Sequence, residues 1–290
     1  MTGSVHYDSV FRADLFAGRT IIVTGGGSGL GRCTAHELKS LGARVALIGR
    51  TLEKLERVKE ELGDPDTYIH SADLRREDEV KAAIAGVMSW SGRIDGLVNN
   101  AGGQFPAQLK DISLNGWNAV VANNMTATFL VSKAVYLASM EAHGGVIVNV
   151  GADFELGNPG MAHNGAARAG QTNFTYSASI EWAHSGVRVN SVIPGFIASS
   201  GFDRYPERAH DALRSVKDRI PAKRHGTESE IAAAIVYLLS DAAAYVTGAT
   251  LRVDGGLHNY GKSTFYQVPD HDKSKPFNGF PLYRPPKVLE

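Results

Sequence analysis

Thr24-Gly25-Gly26-Gly27-Ser28-Gly29-Leu30-Gly31 is the stretch on which the fold turns. It follows the apolar run Ile21-Ile22-Val23 and opens the amphipathic run Leu30 to Leu41, a strand, glycine loop and helix in succession. Gly25 is expected to make the tight turn, Gly29 to let backbone approach a pyrophosphate, and Gly31 to let helix and strand pack closely. Ser28 and Leu30 complete the loop. Phosphates would rest on the helix N-terminus, where unpaired N–H groups and the dipole favour negative charge.

Outward from this loop, apolar runs alternate with amphipathic ones. Val45 to Ile48, Leu97-Val98, Val146 to Val148 and Val189 to Ile193 read as further strands. Leu52 to Leu62, Asp78 to Trp90 and Trp117 to Met140 read as helices, with residues 164–184 forming another. Strands without polar faces, separated by helix-length segments, imply a doubly wound parallel α/β sheet covered by helices on both faces. No Pro/Gly/Ser-rich linker divides residues 19–256, which we read as one Rossmann-type domain. Residues 1–18 read as a leader and 257–290 as a C-terminal extension. The extension's aromatics, Tyr260, Phe265, Tyr266, Phe277, Phe280 and Tyr283, argue for packing rather than disorder.

Composition narrows the function. With 43% hydrophobic and 21% charged residues, the 290-residue chain can bury an ordinary core. Thirty acidic residues balance thirty basic ones, which gives no electrostatic case for nucleic-acid or membrane partners. The single cysteine, Cys33, cannot form an internal disulfide. The longest apolar run, Ile231 to Leu239, is far short of a membrane span, and the first fifteen residues carry charges rather than an apolar core. A cytoplasmic enzyme is expected.

With the glycine loop, Asn99-Asn100-Ala101-Gly102 after a central strand, Asp73, Pro194-Gly195 and Val253-Asp254-Gly255-Gly256, the chain resembles the short-chain dehydrogenase/reductase family over residues 18–256. The resemblance implies a seven-stranded sheet in the order 3-2-1-4-5-6-7, a nicotinamide dinucleotide and a homodimer or homotetramer. It also implies that Asp73 and Leu74 flank the adenine and that Asn100, Ala101 and Gly102 line the adenosine side. Pro194, Gly195, Ile197 and Ser199 would lie on the nicotinamide side, the last two meeting its carboxamide. The second strand ends in Ile48-Gly49-Arg50, with no acid to grip a ribose 2′-hydroxyl. Arg50 can pair with a 2′-phosphate, so NADP(H) is favoured over NAD(H).

The reaction site departs from the family. Most members use an Asn-Ser-Tyr-Lys set, with Tyr-x-x-x-Lys on a helix, so that a tyrosine can protonate the alkoxide left by hydride addition. We read no such helix motif here. Counting back from Pro194-Gly195 puts Asn164 in the tyrosine place and Arg168 in the lysine place, while Gly151 replaces the serine. Asn124 alone remains. Arg168 can hold ribose hydroxyls but cannot shuttle protons, since its pKa should stay above about 12. Asn164 cannot act as an acid.

Hydride addition to an activated C=C bond asks instead for donors aimed at a developing enolate oxygen. Asn124, Asn164 and Thr172 are candidate donors. Asp153, His163, Thr172 and Tyr176 are candidate proton sources, along with water. Segments 163–170, 102–105, 220–224 and 266–272 are similar to the enoyl-CoA reductase branch of the family, the peroxisomal trans-2-enoyl-CoA reductases. That likeness implies reduction of an acyl-CoA or related enone with NADPH. Two other readings stay open: an alcohol, aldehyde or ketone oxidoreductase on a hydrophobic substrate, and a cofactor-binding inactive partner subunit.

Two patterns look like sites and are read otherwise. Gly256 to Ser263 matches G-x-x-x-x-G-K-S but lacks the helix that must follow it. Asp270-His271-Asp272 resembles a metal cluster, but adjacent residues rarely face one ion, and no metal is expected.

Overall fold

The structure is a computed structural model that describes residues 6–263 and 265–290. Seven parallel strands form one sheet: β1 (Thr20–Thr24), β2 (Arg44–Gly49), β3 (Tyr68–Ser71), β4 (Gly96–Asn99), β5 (Gly145–Val150), β6 (Val187–Pro194) and β7 (Thr250–Val253). Their order is β3-β2-β1-β4-β5-β6-β7, as the family resemblance implies. The topology reverses between β1 and β4, each of which pairs with the other at Ile21–Gly96, Ile22–Leu97 and Val23–Val98. A crevice therefore opens at the carboxyl ends of these two strands.

The pleat explains why the strands read as unbroken apolar runs. Ile21, Val23, Val45, Leu47, Val98, Val146 and Val148 point to one face, where α1 (Gly29–Ser40), α2 (Leu52–Leu62) and α9 (Glu228–Leu239) pack. Ile22, Ala46, Ile48, Leu97 and Ile147 point to the other, under α3 (Glu77–Ser91), α5 (Ala127–Val135) and α7 (Ala162–Glu181). Both faces are buried, so alternation disappears from the sequence. The edge strands β3 and β7 are only half-buried and polar, which is why no apolar run announced them.

The helix expected from Trp117 begins earlier, as α4 (Leu114–Val121), because Ser113 caps it by accepting a hydrogen bond from the Gly116 N–H at 3.1 Å. It continues through a π-turn (Ala122–Thr126) into α5 and then through a second (Tyr136–Met140). The first π-turn surrounds Asn124. A single extra residue in the helix is invisible to periodicity.

The segments around Tyr7 and Phe280 meet over α1 and α9, whereas Val288 packs on Phe202 and on Leu213 of α8 (His210–Ser215). Tyr7 stacks on Phe280, and the Asp8 N–H donates to the Gly279 carbonyl at 2.9 Å. Thr227 opens α9 with a capping box to Glu230, and its hydroxyl also donates to the Phe277 carbonyl. Of the six tail aromatics, Phe280 is buried and Tyr260, Phe277 and Tyr283 are half-buried. Phe265 and Tyr266 are exposed. Among the described residues no helix is long and apolar enough to cross a membrane.

Candidate active site

The glycine loop has the conformation its sequence demands. Gly25 and Gly29 take φ of +65° and +56°, where a side chain is strained. A Cβ on Gly31 would stand 2.4 Å from Asn100 Nδ2 and 2.5 Å from the Gly25 carbonyl oxygen, so helix and strand touch through glycine. A Cβ on Gly29 would meet nothing nearer than 3.9 Å. Space thus lies in front of the helix N-terminus. Ser28 is the N-cap of α1, its hydroxyl makes no capping bond, and no acid stands in the first turn. An open, uncapped N-terminus of this kind fits a pyrophosphate.

Gly25, Ser28, Arg50, Asp73, Leu74, Ala101 and Gly102 line one cleft. Lys54, Asn123 and Arg204 line it too, and the sequence reading did not single them out. Arg75 grips Asp73 through Nε and Nη2 and pulls its carboxyl down to about 2, so Asp73 stays ionised. Asn100 does not face this cleft as expected. Its Nδ2 donates to the Thr24 carbonyl at 2.9 Å, and Thr24 Oγ1 in turn accepts from the N–H groups of Asn100 and Ala101. Asn100 therefore braces the loop that Gly25 begins.

Pro194 ends β6, and Gly195, Ile197 and Ser199 follow it; none of the four lines the cleft. Gly195 is pressed against Asp254, where a Cβ would come within 2.7 Å of its Cα, and Ile197 is buried and bridges to Gly226. Ser199 Oγ accepts from the Gly201 N–H at 3.4 Å.

Asn164, Arg168 and Thr172 recur at four-residue spacing along α7 and so share a face, and all three are buried. Arg168 Nη1 donates to the Val150 carbonyl at 2.8 Å and to Gln171 Oε1 at 3.1 Å. Gln171 donates to Thr128 Oγ1, which donates to the Asn124 carbonyl, tying α7 to the π-turn. Among the described residues no carboxylate pairs with Arg168, and its Nε has no partner. Burial pushes its pKa down to about 10, below the value expected from sequence, but the guanidinium remains a cation at neutral pH. Asn164 Oδ1, Thr172 Oγ1 and His163 Nε2 are also buried without partners. His163 Nδ1 accepts from the Asn164 N–H at 3.0 Å, which fixes the proton on the orphaned Nε2. Four unpartnered polar atoms on one stretch of helix are costly unless a ligand meets them.

Asn124 does not fit the role of enolate donor. Its Nδ2 donates to the carbonyls of Gly103 and Val120 at 2.8 and 2.7 Å, and its Oδ1 accepts from the Gly103 N–H. Both donor hydrogens are engaged. A Cβ on Gly102 would stand 2.7 Å from Asn124 Oδ1 and from Arg168 Nη2, so any side chain there would displace one or both. Asn124 shapes the 102–103 loop instead of reaching a substrate.

Asp153 Oδ2 lies 2.8 Å from His258 Nδ1, and Arg252 stands nearby. Burial alone would raise the Asp153 carboxyl, but the His258 bond and the Arg252 charge outweigh it and hold it below its ordinary range. By itself it is no acid at neutral pH. Tyr176 is exposed, with its hydroxyl 3.4 Å from Thr250 Oγ1. A Tyr-x-x-x-Lys spacing does occur, at Tyr283 to Lys287, but it spans Pro285 and Pro286 in the tail and is not helical. In the Gly256 to Ser263 pattern the short helix α10 (Leu257–Tyr260) falls inside the motif, and residues 265–270 are not helical. Among the described residues no group of side chains could hold a metal.

Sheet order, glycine loop and cleft define a Rossmann-type dinucleotide-binding protein. Residues 25–258 match the family profile described as enoyl-(acyl carrier protein) reductase. The chain is similar to a solved citronellol catabolism dehydrogenase of Pseudomonas aeruginosa PAO1, with 50% identity, 87% of this chain and 99% of that one covered, and a TM-score of 0.77. It is 34% identical to a peroxisomal 2,4-dienoyl-CoA reductase of Danio rerio, covering 86% of this chain and 85% of that protein. A glucose 1-dehydrogenase of Gluconobacter oxydans is 37% identical over 86% of this chain and 95% of its own. The chain belongs to the short-chain dehydrogenase/reductase family, whose members are oxidoreductases that use a nicotinamide cofactor.

Proposed function

We propose that the protein reduces a C=C bond conjugated to a carbonyl, in an enoyl-CoA thioester or related enone, at the expense of NADPH. The observation that carries this reading is the face of α7, where Asn164, Arg168 and Thr172 are buried, incompletely bonded and devoid of an acid. When bound, the reduced nicotinamide supplies the hydride. Arg168 holds ribose hydroxyls with the N–H it does not spend on Val150 and Gln171. Its buried positive charge also lowers the energy of an enolate beside it, because low dielectric strengthens the attraction. Thr172 and Asn164 can donate hydrogen bonds to that oxygen. The relatives named 2,4-dienoyl-CoA reductases support a conjugated C=C substrate.

The test is NADPH consumption, followed by absorbance, across trans-2-enoyl-CoA thioesters of short, medium and long chain. Turnover of at least one class is expected. Tight NADPH binding without turnover would overturn this reading. The second reading, an alcohol, aldehyde or ketone oxidoreductase on a hydrophobic substrate, draws on the 50% identity to the citronellol catabolism dehydrogenase. Oxidation of such alcohols with no enoyl-CoA reduction would establish it.

For the cofactor, Arg50, Lys54 and Arg204 supply three cations to the cleft, and its one acid, Asp73, is held by Arg75. Arg50→Glu is therefore expected to weaken NADPH binding by about 10- to 100-fold, the worth of a charge-assisted contact, and to change NADH affinity little. Fluorescence titration of both cofactors checks it, and equal losses for the two would sink the 2′-phosphate assignment. Assembly into a homodimer or homotetramer is supported by Met125, Phe129, Tyr176 and Ile180, apolar side chains exposed on the outer surfaces of the helices that carry the site.

A further inference from the structure

His258 lies in the segment that mimics a phosphate loop, and only 4% of its surface is exposed. Its two ring nitrogens face two different carboxylates: Nδ1 is 2.8 Å from Asp153 Oδ2 and Nε2 is 3.2 Å from Glu155 Oε2. A neutral imidazole has one N–H and would turn a lone pair toward the second carboxylate. An imidazolium donates to both. Arg252, on β7, lies 2.5 Å from Glu155 Oε1 and 3.8 Å from Asp153 Oδ1. Asp254, in the turn before α10, accepts the His258 backbone N–H at 2.9 Å. Two carboxylates thus face the ring, with a third at its backbone and one guanidinium beside them, and a second ring proton reduces the excess of negative charge. The cluster is built to hold a proton.

Its place relative to α7 gives the proton a use. Asp153 is three residues beyond Val150, whose carbonyl receives Arg168, and the loop that carries it leads into α7. Asp153 is half-buried while His258 is closed off, so the carboxylate is the outlet and the ring the store. On α7, Asn164 and Thr172 cannot yield a proton at neutral pH, and Arg168 remains charged.

We propose that His258, acting through Asp153, supplies the proton that completes C=C reduction, the task for which this chain has no tyrosine. This rests on the reading given under Proposed function. Hydride addition at the β-carbon leaves an enolate. A C–H bond then forms at the α-carbon with a proton passed on by Asp153, as the His258 Nδ1–H bond breaks toward the same carboxylate. The imidazole recovers a proton from water, and no electrons are exchanged in this step. His258 is a positioning residue behind Asp153.

Two measurements on the full-length protein test the idea separately. In protein labelled with 15N-histidine, with the His258 signals assigned through His258→Asn, both ring nitrogens should resonate as protonated at pH 7. A neutral tautomer overturns the proton store whatever the substrate proves to be. In enoyl-CoA reduction, His258→Asn and Asp153→Asn should each lower kcat by about 100-fold, within the range for a lost general acid, with NADPH affinity unchanged. The alkaline limb of the wild-type pH profile should vanish in both. A wild-type-shaped profile in His258→Asn, or a loss confined to KM, overturns the relay. If the wild type reduces no enoyl-CoA, it is the C=C reading that falls, and the nitrogen signals still decide the store.

Discussion

Arg168→Met is expected to lower kcat/KM by about 1000-fold and to weaken NADPH binding, while leaving the protein as stable as the wild type or more so. The two halves of this result come from one fact. Arg168 is a buried cation with neutral acceptors only, the Val150 carbonyl and Gln171 Oε1, and with Nε unpartnered. Taking an ion out of water costs several kcal/mol, and without a carboxylate partner little of that cost is offset. Methionine fills much of the same space and removes the charge. Two acceptors lose a donor, at about 1–3 kcal/mol for each one left unsatisfied, and this opposes the relief of desolvation. In catalysis nothing offsets the loss, since removing one preorganised donor at a developing oxyanion typically costs a factor of about 100 to 1000. Arg168→Lys separates charge from geometry. It keeps the cation and cannot make the forked contact to Val150 and Gln171, so partial activity with poorer cofactor affinity is expected. Thermal melts and cofactor titrations on both variants check this. A clear loss of stability with unchanged NADPH affinity in Arg168→Met would make Arg168 a brace between β5 and α7 rather than a binding residue.

Arg168 also shows where a sequence can be read and where it cannot. Its position, four residues past Asn164 and upstream of Pro194-Gly195, follows from counting. That it is buried, bonded to Gln171 and, among the described residues, without a carboxylate depends on what α5, β5 and the 102–103 loop bring beside it. The glycine loop was legible because Gly25, Gly29 and Gly31 answer local demands of backbone and packing within eight residues. The central strands were legible because burial on both faces makes them apolar throughout. β3 and β7, at the edges, carry mixed residues such as His70 and Arg252 and gave no such signal. Asn124 was expected to donate to an enolate, but its amide is spent on Gly103 and Val120, because the π-turn that aims it leaves no trace in hydrophobic spacing. His258 was missed altogether. It pairs with Asp153 across 105 residues, and its local text resembled a phosphate loop. The signal that could have led to it was the pair of acids, Asp153 and Glu155, on the loop entering α7, since two neighbouring carboxylates at a cleft mouth call for a cation from elsewhere in the chain.

The second large effect concerns stability, and it should appear when the pH is lowered. Glu37, on α1, is fully buried beneath the N-terminal segment, with Ser9 Oγ 2.9 Å from one carboxyl oxygen and Tyr7 Oη 3.3 Å from the other. Burial raises its pKa to about 7, and these two hydroxyls offset only part of the rise. Glu228, at the start of α9, is likewise pushed to about 7 by burial, with Arg32 opposing. A carboxyl whose folded pKa lies above its unfolded value binds protons more tightly in the native state. The stability it contributes is full below the unfolded value of 4.5, declines as pH rises, and is lost once pH passes about 7. A pKa difference of this size corresponds to on the order of 3 kcal/mol for each group. Denaturant unfolding should therefore show greater stability at pH 5 than at pH 8, against the usual trend for surface carboxylates paired with cations. Glu37→Gln should stabilise the protein by about 2 kcal/mol at pH 8 and make little difference at pH 5, because glutamine mimics the protonated acid and keeps hydrogen-bonding partners for Ser9 and Tyr7. Glu37→Gln less stable than wild type at both pH values would mean that Ser9 and Tyr7 hold an ionised carboxylate in the native state. The junction of leader, α1 and tail would then be sealed by a charge rather than by a neutral acid, and the stability maximum would move to higher pH.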